Sequence, residues 1–341
     1  MNKRNRILTS LMLAIAVAIF VFSLAKIDLQ QAKIDLQESH WWWFIVAFIF
    51  MCLFYFIQTF ILRELLDDKP KLTTRDLLRI PLLEAFGNGI TPMSVGGQPM
   101  QLLGLTQAGV SGPRSGSVLI MKFIVFQAMI MVAFAIAILT GYGYVAEHLA
   151  SMKFLVIFGI VIHFVVIFGL IMTMYWHKMT TRLVHIILYP LKFAIGEKGL
   201  KSLYKKVDKA LKEFHDESIN LSKNKDKLLR VAALTLIQLF FLYIIPYWIL
   251  LGFGIYNVNP LFIIALHVII TMVISIFPVP GGSGGAELTF SALFSQFLVT
   301  GEKVILAMLI WRVITYYFGM FAGILAYNLD ADYQLKKSIK K

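Results

Sequence analysis

From Val231 to Ala286 the chain runs fifty-six residues without one Asp, Glu, Lys or Arg. About 20 apolar residues in helical form cross a bilayer, so this stretch alone is long enough for two crossings. Composition agrees: 59% of the 341 residues are hydrophobic and 15% charged, whereas soluble domains run at about 25% charged. An ordinary water-soluble enzyme is excluded, and an all-α polytopic membrane protein is predicted. The lone cysteine, Cys52, lies in an apolar run, which rules out a disulfide framework or a thiolate metal site.

Other charge-poor runs cover 7–25, 41–62, 115–140, 154–176 and 304–329. The first follows Lys3, Arg4 and Arg6 as a signal peptide would. No small-residue cleavage site follows it, so it is expected to stay as a helix. Trp41, Trp42 and Trp43 open the second run as an interfacial anchor. Just before it, the pentapeptide KIDLQ occurs at 26–30 and again at 33–37. That seven-residue period predicts a short helix extending the first span.

Lysine and arginine in the loops set the orientation. The N-terminus holds three of them, 63–79 five, 178–230 thirteen and 330–341 four, out of 32 in all. This basic side is expected to be cytoplasmic, with both termini there, in the cell membrane. The net charge of +13 then points to anionic lipid headgroups rather than nucleic acid. In 197–219, Leu200, Leu203, Tyr204, Val207, Leu211 and Phe214 recur at helical spacing, with Lys201, Lys205, Lys209 and Lys212 on other faces. The segment reads either as an amphipathic helix at the cytoplasmic surface or as a solvated connector.

Proline and glycine interrupt the apolar pattern twice, in GNGITPMSVGGQPMQLLGL at 87–105 and PVPGGSGGAELTFSAL at 278–293. A shift of 188 carries Pro92 onto Pro280, Gly96 onto Gly284 and Gly97 onto Gly285. The same shift carries span 41–62 onto 229–250 and span 115–140 onto 303–328. One transmembrane domain is expected, with repeat 1 over about 41–140 and repeat 2 over about 229–328. Span 154–176 and the basic loop 177–230 link them. Equivalent spans cross in opposite senses, so the repeats are inverted. The charges then require 77–113 and 260–300 to be re-entrant hairpins with Pro/Gly tips, beside six full spans. Non-helical backbone at membrane depth is tolerated only inside protein or beside a watery cavity. Helix ends at such tips present N–H groups suited to phosphate. The alternative is that both motifs are loops kinking packed helices.

A charge at bilayer depth costs about 2.5–3.5 kcal/mol on insertion scales and faces a partner or a cavity. Four stand out: Glu84, Lys122, Glu287 and Arg312, with Asn88 one turn beyond Glu84 on the same helical face. The simplest arrangement pairs Glu287 with Arg312 and sets Lys122 near Glu84 as the approximate counterpart. Such pairs lock hairpins to spans, touch substrate, or do both. His163 and His267 lack carboxylates or cysteines at ligand spacing and read as buried hydrogen-bonding residues, so no metal and no cofactor is expected. The chain has no HExxH, GxSxG or GxGxxG, and Gly-Gly-Ser-Gly-Gly at 281–285 lacks the GK[ST] of a nucleotide-binding loop.

TPMSVGGQPM at 91–100 and PVPGGSGGAE at 278–287, with Arg312 beyond, resemble motifs of the flippase-like transmembrane domain of bacterial lysylphosphatidylglycerol synthases, the multiple peptide resistance factors. The resemblance covers about residues 5–330. Members often carry an acidic residue where Gln98 stands here. The full-length synthases add a soluble aminoacyl-transfer domain. This chain ends twelve residues after Leu329, so synthase chemistry is not expected of it. The resemblance implies translocation of a phospholipid, such as aminoacylated phosphatidylglycerol, or of a polyprenyl-phosphate-linked headgroup. By carry-over the functional positions are Pro92, Gly96, Gly97, Pro99, Pro280, Gly281, Gly282, Gly285, Glu287 and Arg312. Gln98, Pro278 and Gly284 line the same tips.

A non-enzymatic lipid transporter is therefore the leading expectation. An integral-membrane transferase acting on lipid-linked sugars is a second class; against it, no nucleophile stands beside a base. A non-catalytic membrane partner of a cytoplasmic synthase is a third, and a homodimer is compatible with each.

Overall fold

A computed structural model describes residues 29–67, 71–91, 94–148, 153–274, 277, 279–282, 284–298, 300–329 and 331. The predicted span 7–25 lies outside the described residues, as do Pro92 and Pro278. The described residues are helical and contain no strand. Five helical stretches are long and apolar enough to cross a membrane: Trp42–Leu66, Gly112–Leu139, Val156–Tyr175, Lys225–Gly252 and Gly301–Asn328. The protein is an all-α polytopic membrane protein.

In chain order, α1 (Leu29–Gln37) covers the second KIDLQ, and α2 (Trp42–Leu66) is the first described span. Helices α3 (Thr74–Ile90) and α4 (Gly97–Gln107) follow, then the long α5 (Gly112–His148) and α6 (Lys153–Tyr175). After a break at Trp176 come α7 (His177–Leu188) and α8 (Lys192–Lys223), the latter bent at Gly196 (φ 68°). Helices α9 (Lys225–Tyr243) and α10 (Ile245–Gly252) form one bent span, interrupted where Pro246 removes a backbone donor. The chain closes with α11 (Pro260–Ile274), α12 (Gly285–Phe294), α13 (Gly301–Arg312), a π-helical turn at Val313–Tyr317, and α14 (Phe318–Asn328).

Side-chain contacts define two ends of the bundle. At the basic end, Arg63 bonds Thr74 (3.1 Å), Arg114 bonds the Leu66 carbonyl (2.8 Å), Lys227 pairs with Asp67, and Arg230 pairs with Glu64 (2.6 Å). These contacts gather the C-terminus of α2 with the N-termini of α3, α5 and α9. At the aromatic end, Trp43 stacks on Trp248, Phe44 lies against Phe253, and the His40 N–H reaches the Gly252 carbonyl (2.8 Å).

The two helix pairs are hairpins that enter from opposite ends. Helix α3 begins at the basic end and α4 returns there: Gly104 lies against Leu83, and Arg79 Nη2 donates to Gln107 Oε1. Helix α11 begins near the aromatic end, where Phe262 meets Phe297 beyond α12. Helix starts recur at the sequence offset too, since α4 begins at Gly97 and α12 at Gly285.

Helices in lipid gain no hydrophobic driving force from pairing, so close approach depends on small residues. Gly319 and Gly323, one turn apart on α14, let it lie directly on α2 and α3. A Cβ at Gly323 would sit 2.3 Å from the Leu82 carbonyl oxygen, and one at Gly319 would sit 1.9 Å from the Tyr55 hydroxyl. Gly323→Ala should therefore overpack this contact and cost about 1–3 kcal/mol. Thermal unfolding in detergent, followed by tryptophan fluorescence, is expected to show that loss. In contrast α6 is peripheral: Phe154, Ile157, Phe158, Phe164, Val165 and Phe168 are all exposed, as lipid contact requires.

The segment 197–219 lies within α8, with Leu200 and Phe214 buried and Lys201, Lys205, Lys209 and Lys212 exposed. It docks rather than hanging free. Phe214 faces Gly116, Ser218 bonds Ser117 (2.9 Å), and His215 Nδ1 lies 2.7 Å from the Met174 carbonyl oxygen. Arg79, counted by sequence with a basic loop, is instead buried and donates to the Ala326 carbonyl (2.8 Å).

Candidate functional site between two hairpin tips

The first tip is closed by a threonine. Thr91 Oγ1 donates to the Gly87 carbonyl (2.7 Å) and accepts from the Gly96 N–H (2.8 Å). Glycines act here through size. A Cβ at Gly87 would meet the Gly96 oxygen at 2.3 Å, and one at Gly97 would meet the Asn88 side-chain oxygen at 2.1 Å. Asn88 thus packs against the start of α4, while Pro99 is exposed and Gln98 half-buried on its first turn.

Glycines of the second tip act through backbone conformation. Gly281, Gly282 and Gly284 have φ of 62°, 62° and 88°, a region that L side chains rarely adopt. The short 3₁₀ turn Pro280–Gly282 precedes α12, whose third residue is Glu287.

Each tip is tied to a span by an ion pair. Arg312 donates from Nη2 (2.9 Å) and Nε (3.1 Å) to Glu287 Oε1, and from Nη1 to the Gly281 carbonyl (2.9 Å). Glu287 Oε2 accepts the Gly284 N–H. Lys122 Nζ spends all three protons, on Glu84 Oε2 (2.8 Å), Gln58 Oε1 (2.7 Å) and Gln101 Oε1 (2.8 Å). It joins α2, both arms of the first hairpin, and α5.

Both expected pairs are therefore formed. They are related by analogy rather than by strict repeat symmetry. The cations occupy corresponding spans two residues out of the 188 offset, but Glu84 sits on the first arm of its hairpin and Glu287 on the second arm. In each pair the cation is the buried member: side-chain exposure is 6% for Arg312 and 26% for Glu287, 7% for Lys122 and 21% for Glu84. The more exposed group of each pair is the carboxylate.

One side chain links the two tips. Tyr316, on the π-helical turn, donates its hydroxyl proton to the Gly89 carbonyl of the first hairpin (2.7 Å). Its ring packs on Gly281 of the second, where a Cβ would stand 2.3 Å away, and the Arg312 guanidinium lies 5.0 Å from the ring centroid. A π-turn adds a residue to the helical repeat and often marks a functional site. Here it lies directly after Arg312.

Of the tip N–H groups expected to suit phosphate, two are bonded within the tips: Gly96 to Thr91, and Gly284 to Glu287. At the second tip an anion would compete with the Glu287 carboxylate for the Gly284 N–H. Sequence reasoning also missed Gln58, Gln101 and Tyr316. The signal for the two glutamines was a strongly polar residue inside an apolar stretch, weaker than that of a charge because an amide is less costly to bury.

His163 and His267 have structural partners. His163 Nδ1 lies 2.8 Å from the Gly159 carbonyl oxygen. Trp311 Nε1–H, which can only donate, meets His267 Nε2 at 3.2 Å. Nδ1 of His267 is then the protonated nitrogen and donates to the Tyr243 carbonyl (3.2 Å). Among the described residues, no three His, Cys, Asp or Glu side chains are grouped as metal ligands would be.

The fold and site define a helical membrane protein whose two Pro/Gly-tipped hairpins enter from opposite ends, meet at Tyr316 and are each tied to a span by an ion pair. Residues 9–323 match the family model described as the lysylphosphatidylglycerol synthase TM region, and the chain belongs to that family. It is also 24% identical over 331 residues to a UPF0104 membrane protein of Archaeoglobus fulgidus, covering 96% of this chain and 97% of that one.

Proposed function

We propose that this protein moves lipid headgroups between the leaflets of the cell membrane, with no covalent chemistry of its own. The observation that carries the proposal is the meeting of two hairpins from opposite ends, tied by Tyr316 and each held by an ion pair. Such an arrangement thins the protein barrier between the two sides to a pair of tips. Residue counts in the loops support placing the basic end in the cytoplasm, with both termini there and the two repeats inverted.

Exposure of the carboxylates favours a headgroup carrying a cation. The ammonium groups of an aminoacylated phosphatidylglycerol would meet Glu84 and Glu287, while its phosphate would compete with Glu287 for Arg312. Each ion in that exchange keeps an opposite charge beside it, so none is left bare at membrane depth. The lipid gradient or the membrane potential drives net movement in this reading.

The test uses purified protein in liposomes that carry lysyl-phosphatidylglycerol in both leaflets. An amine-reactive, membrane-impermeant probe reads the outer-leaflet fraction with time. The expected result is rapid exposure of the inner pool. No movement of this lipid, alongside movement of a polyprenyl-phosphate sugar in a parallel sample, would replace the substrate class. Movement of neither would overturn the proposal.

A further inference from the structure

Helix α7 was not distinguished by sequence from the basic loop around it. None of its twelve residues is buried. At 100° per residue, Met179, Leu183, Ile186 and Ile187 fall within an arc of about 100°. These four side chains are between 44% and 73% exposed. Lys178, Arg182 and His185 occupy the adjoining flank, and the remaining face turns to α8. There the His185 and Tyr204 rings stack at 4.0 Å, and His185 Nε2 lies 2.7 Å from Asp208.

An apolar stripe bordered by cations is the pattern of a helix lying in a membrane interface. Its position fits. Helix α6 ends at the basic end, where Met174 meets His215 of α8, and the chain turns at Trp176 (φ −101°, ψ 66°) into α7. Trp176 itself is exposed, as an interfacial tryptophan should be. Between α7 and α8 lies an open basin of about 540 Å³, lined by Lys178, Arg182, His185, Tyr189 and Tyr204. Asp208 answers His185, and Glu197 is 2.8 Å from Lys192. Lys178 and Arg182 face the basin as its cationic wall.

We infer that α7 is an interfacial helix that rests on the leaflet at the basic end and holds the phosphate of one anionic phospholipid in the basin, against Lys178 and Arg182. The occupant follows from charge complementarity and from continuity with the lipid-exposed face of α6. The site is separate from the hairpin tips and does not depend on the transport proposal.

Two measurements on the full chain in vesicles test it. In a Cys52→Ser background, nitroxides are attached through Ile187→Cys and, separately, Lys178→Cys. The Ile187 label should be reached by oxygen and shielded from a water-soluble nickel chelate, with the opposite preference at Lys178. Free access of the nickel reagent to Ile187 would overturn the interfacial placement. Second, spin-labelled phosphatidylglycerol should be retained by the protein, and the Lys178→Ala/Arg182→Ala variant should weaken that retention about thirtyfold. Each basic side chain near an anionic surface accounts for roughly fivefold. Retention of spin-labelled phosphatidylcholine should not change. Equal retention of phosphatidylglycerol by variant and wild type would remove the basin from the inference.

Discussion

Arg312→Ala is expected to stop lipid movement, reducing the rate at least about a hundredfold, and to destabilise the protein by about 3–5 kcal/mol. Arg312 is buried, and its guanidinium holds Glu287 by two bonds and the Gly281 carbonyl by a third. Truncation leaves a carboxylate at membrane depth whose remaining contact is the Gly284 N–H. It also frees the Gly281 carbonyl, and with it a tip whose glycines can take many other backbone conformations. Arg312→Lys keeps the charge but not the planar fork that reaches the Glu287 carboxylate and the Gly281 carbonyl together. It should recover stability more than rate. Arg312→Ala/Glu287→Gln removes both charges and should regain part of the stability without regaining movement. That split separates a clamp from a headgroup site, because a pure clamp would recover both together. Arg312→Ala moving lipid at the wild-type rate would remove the second tip from the pathway.

The described spans were legible because charge in hydrocarbon is costly, so long uncharged runs had to be mostly helical. The four membrane charges were legible for the same reason, and each stands beside the partner expected of it. What escaped the sequence is what that cost does not reach. Gln58 and Gln101 complete the Lys122 site as neutral amides. The π-turn after Arg312 leaves no mark in composition, because it is an extra residue inside a helix that reads as uninterrupted. Tyr316 looked like one more interfacial or packing aromatic until the fold set its hydroxyl on Gly89. Helix α7 was hidden by its own cations: Lys178 and Arg182 made the segment read as loop, although its apolar residues recur at helical spacing. Tertiary pairing, and not local pattern, decides each of these.

Lys122→Met should cost about 3–5 kcal/mol of stability, with hairpin one rather than hairpin two loosened. Methionine keeps the length and flexibility of the lysine chain, so packing along α5 is retained while the charge disappears. Three acceptors then lose their donor at once: Gln58, Glu84 and Gln101, on three different helices. Gln101 is fully buried, and its Nε2 has no hydrogen-bond partner among the described residues, so turning that amide offers Glu84 a partial replacement. Lys122→Met/Glu84→Gln removes the uncompensated carboxylate and should restore about half of the loss. A double-mutant cycle on thermal unfolding reads the coupling directly. Protection of α3 and α4 amides in hydrogen exchange should fall in Lys122→Met, while α12 keeps its protection. Additive effects of the two substitutions would show that the Lys122–Glu84 contact contributes nothing to holding the hairpin.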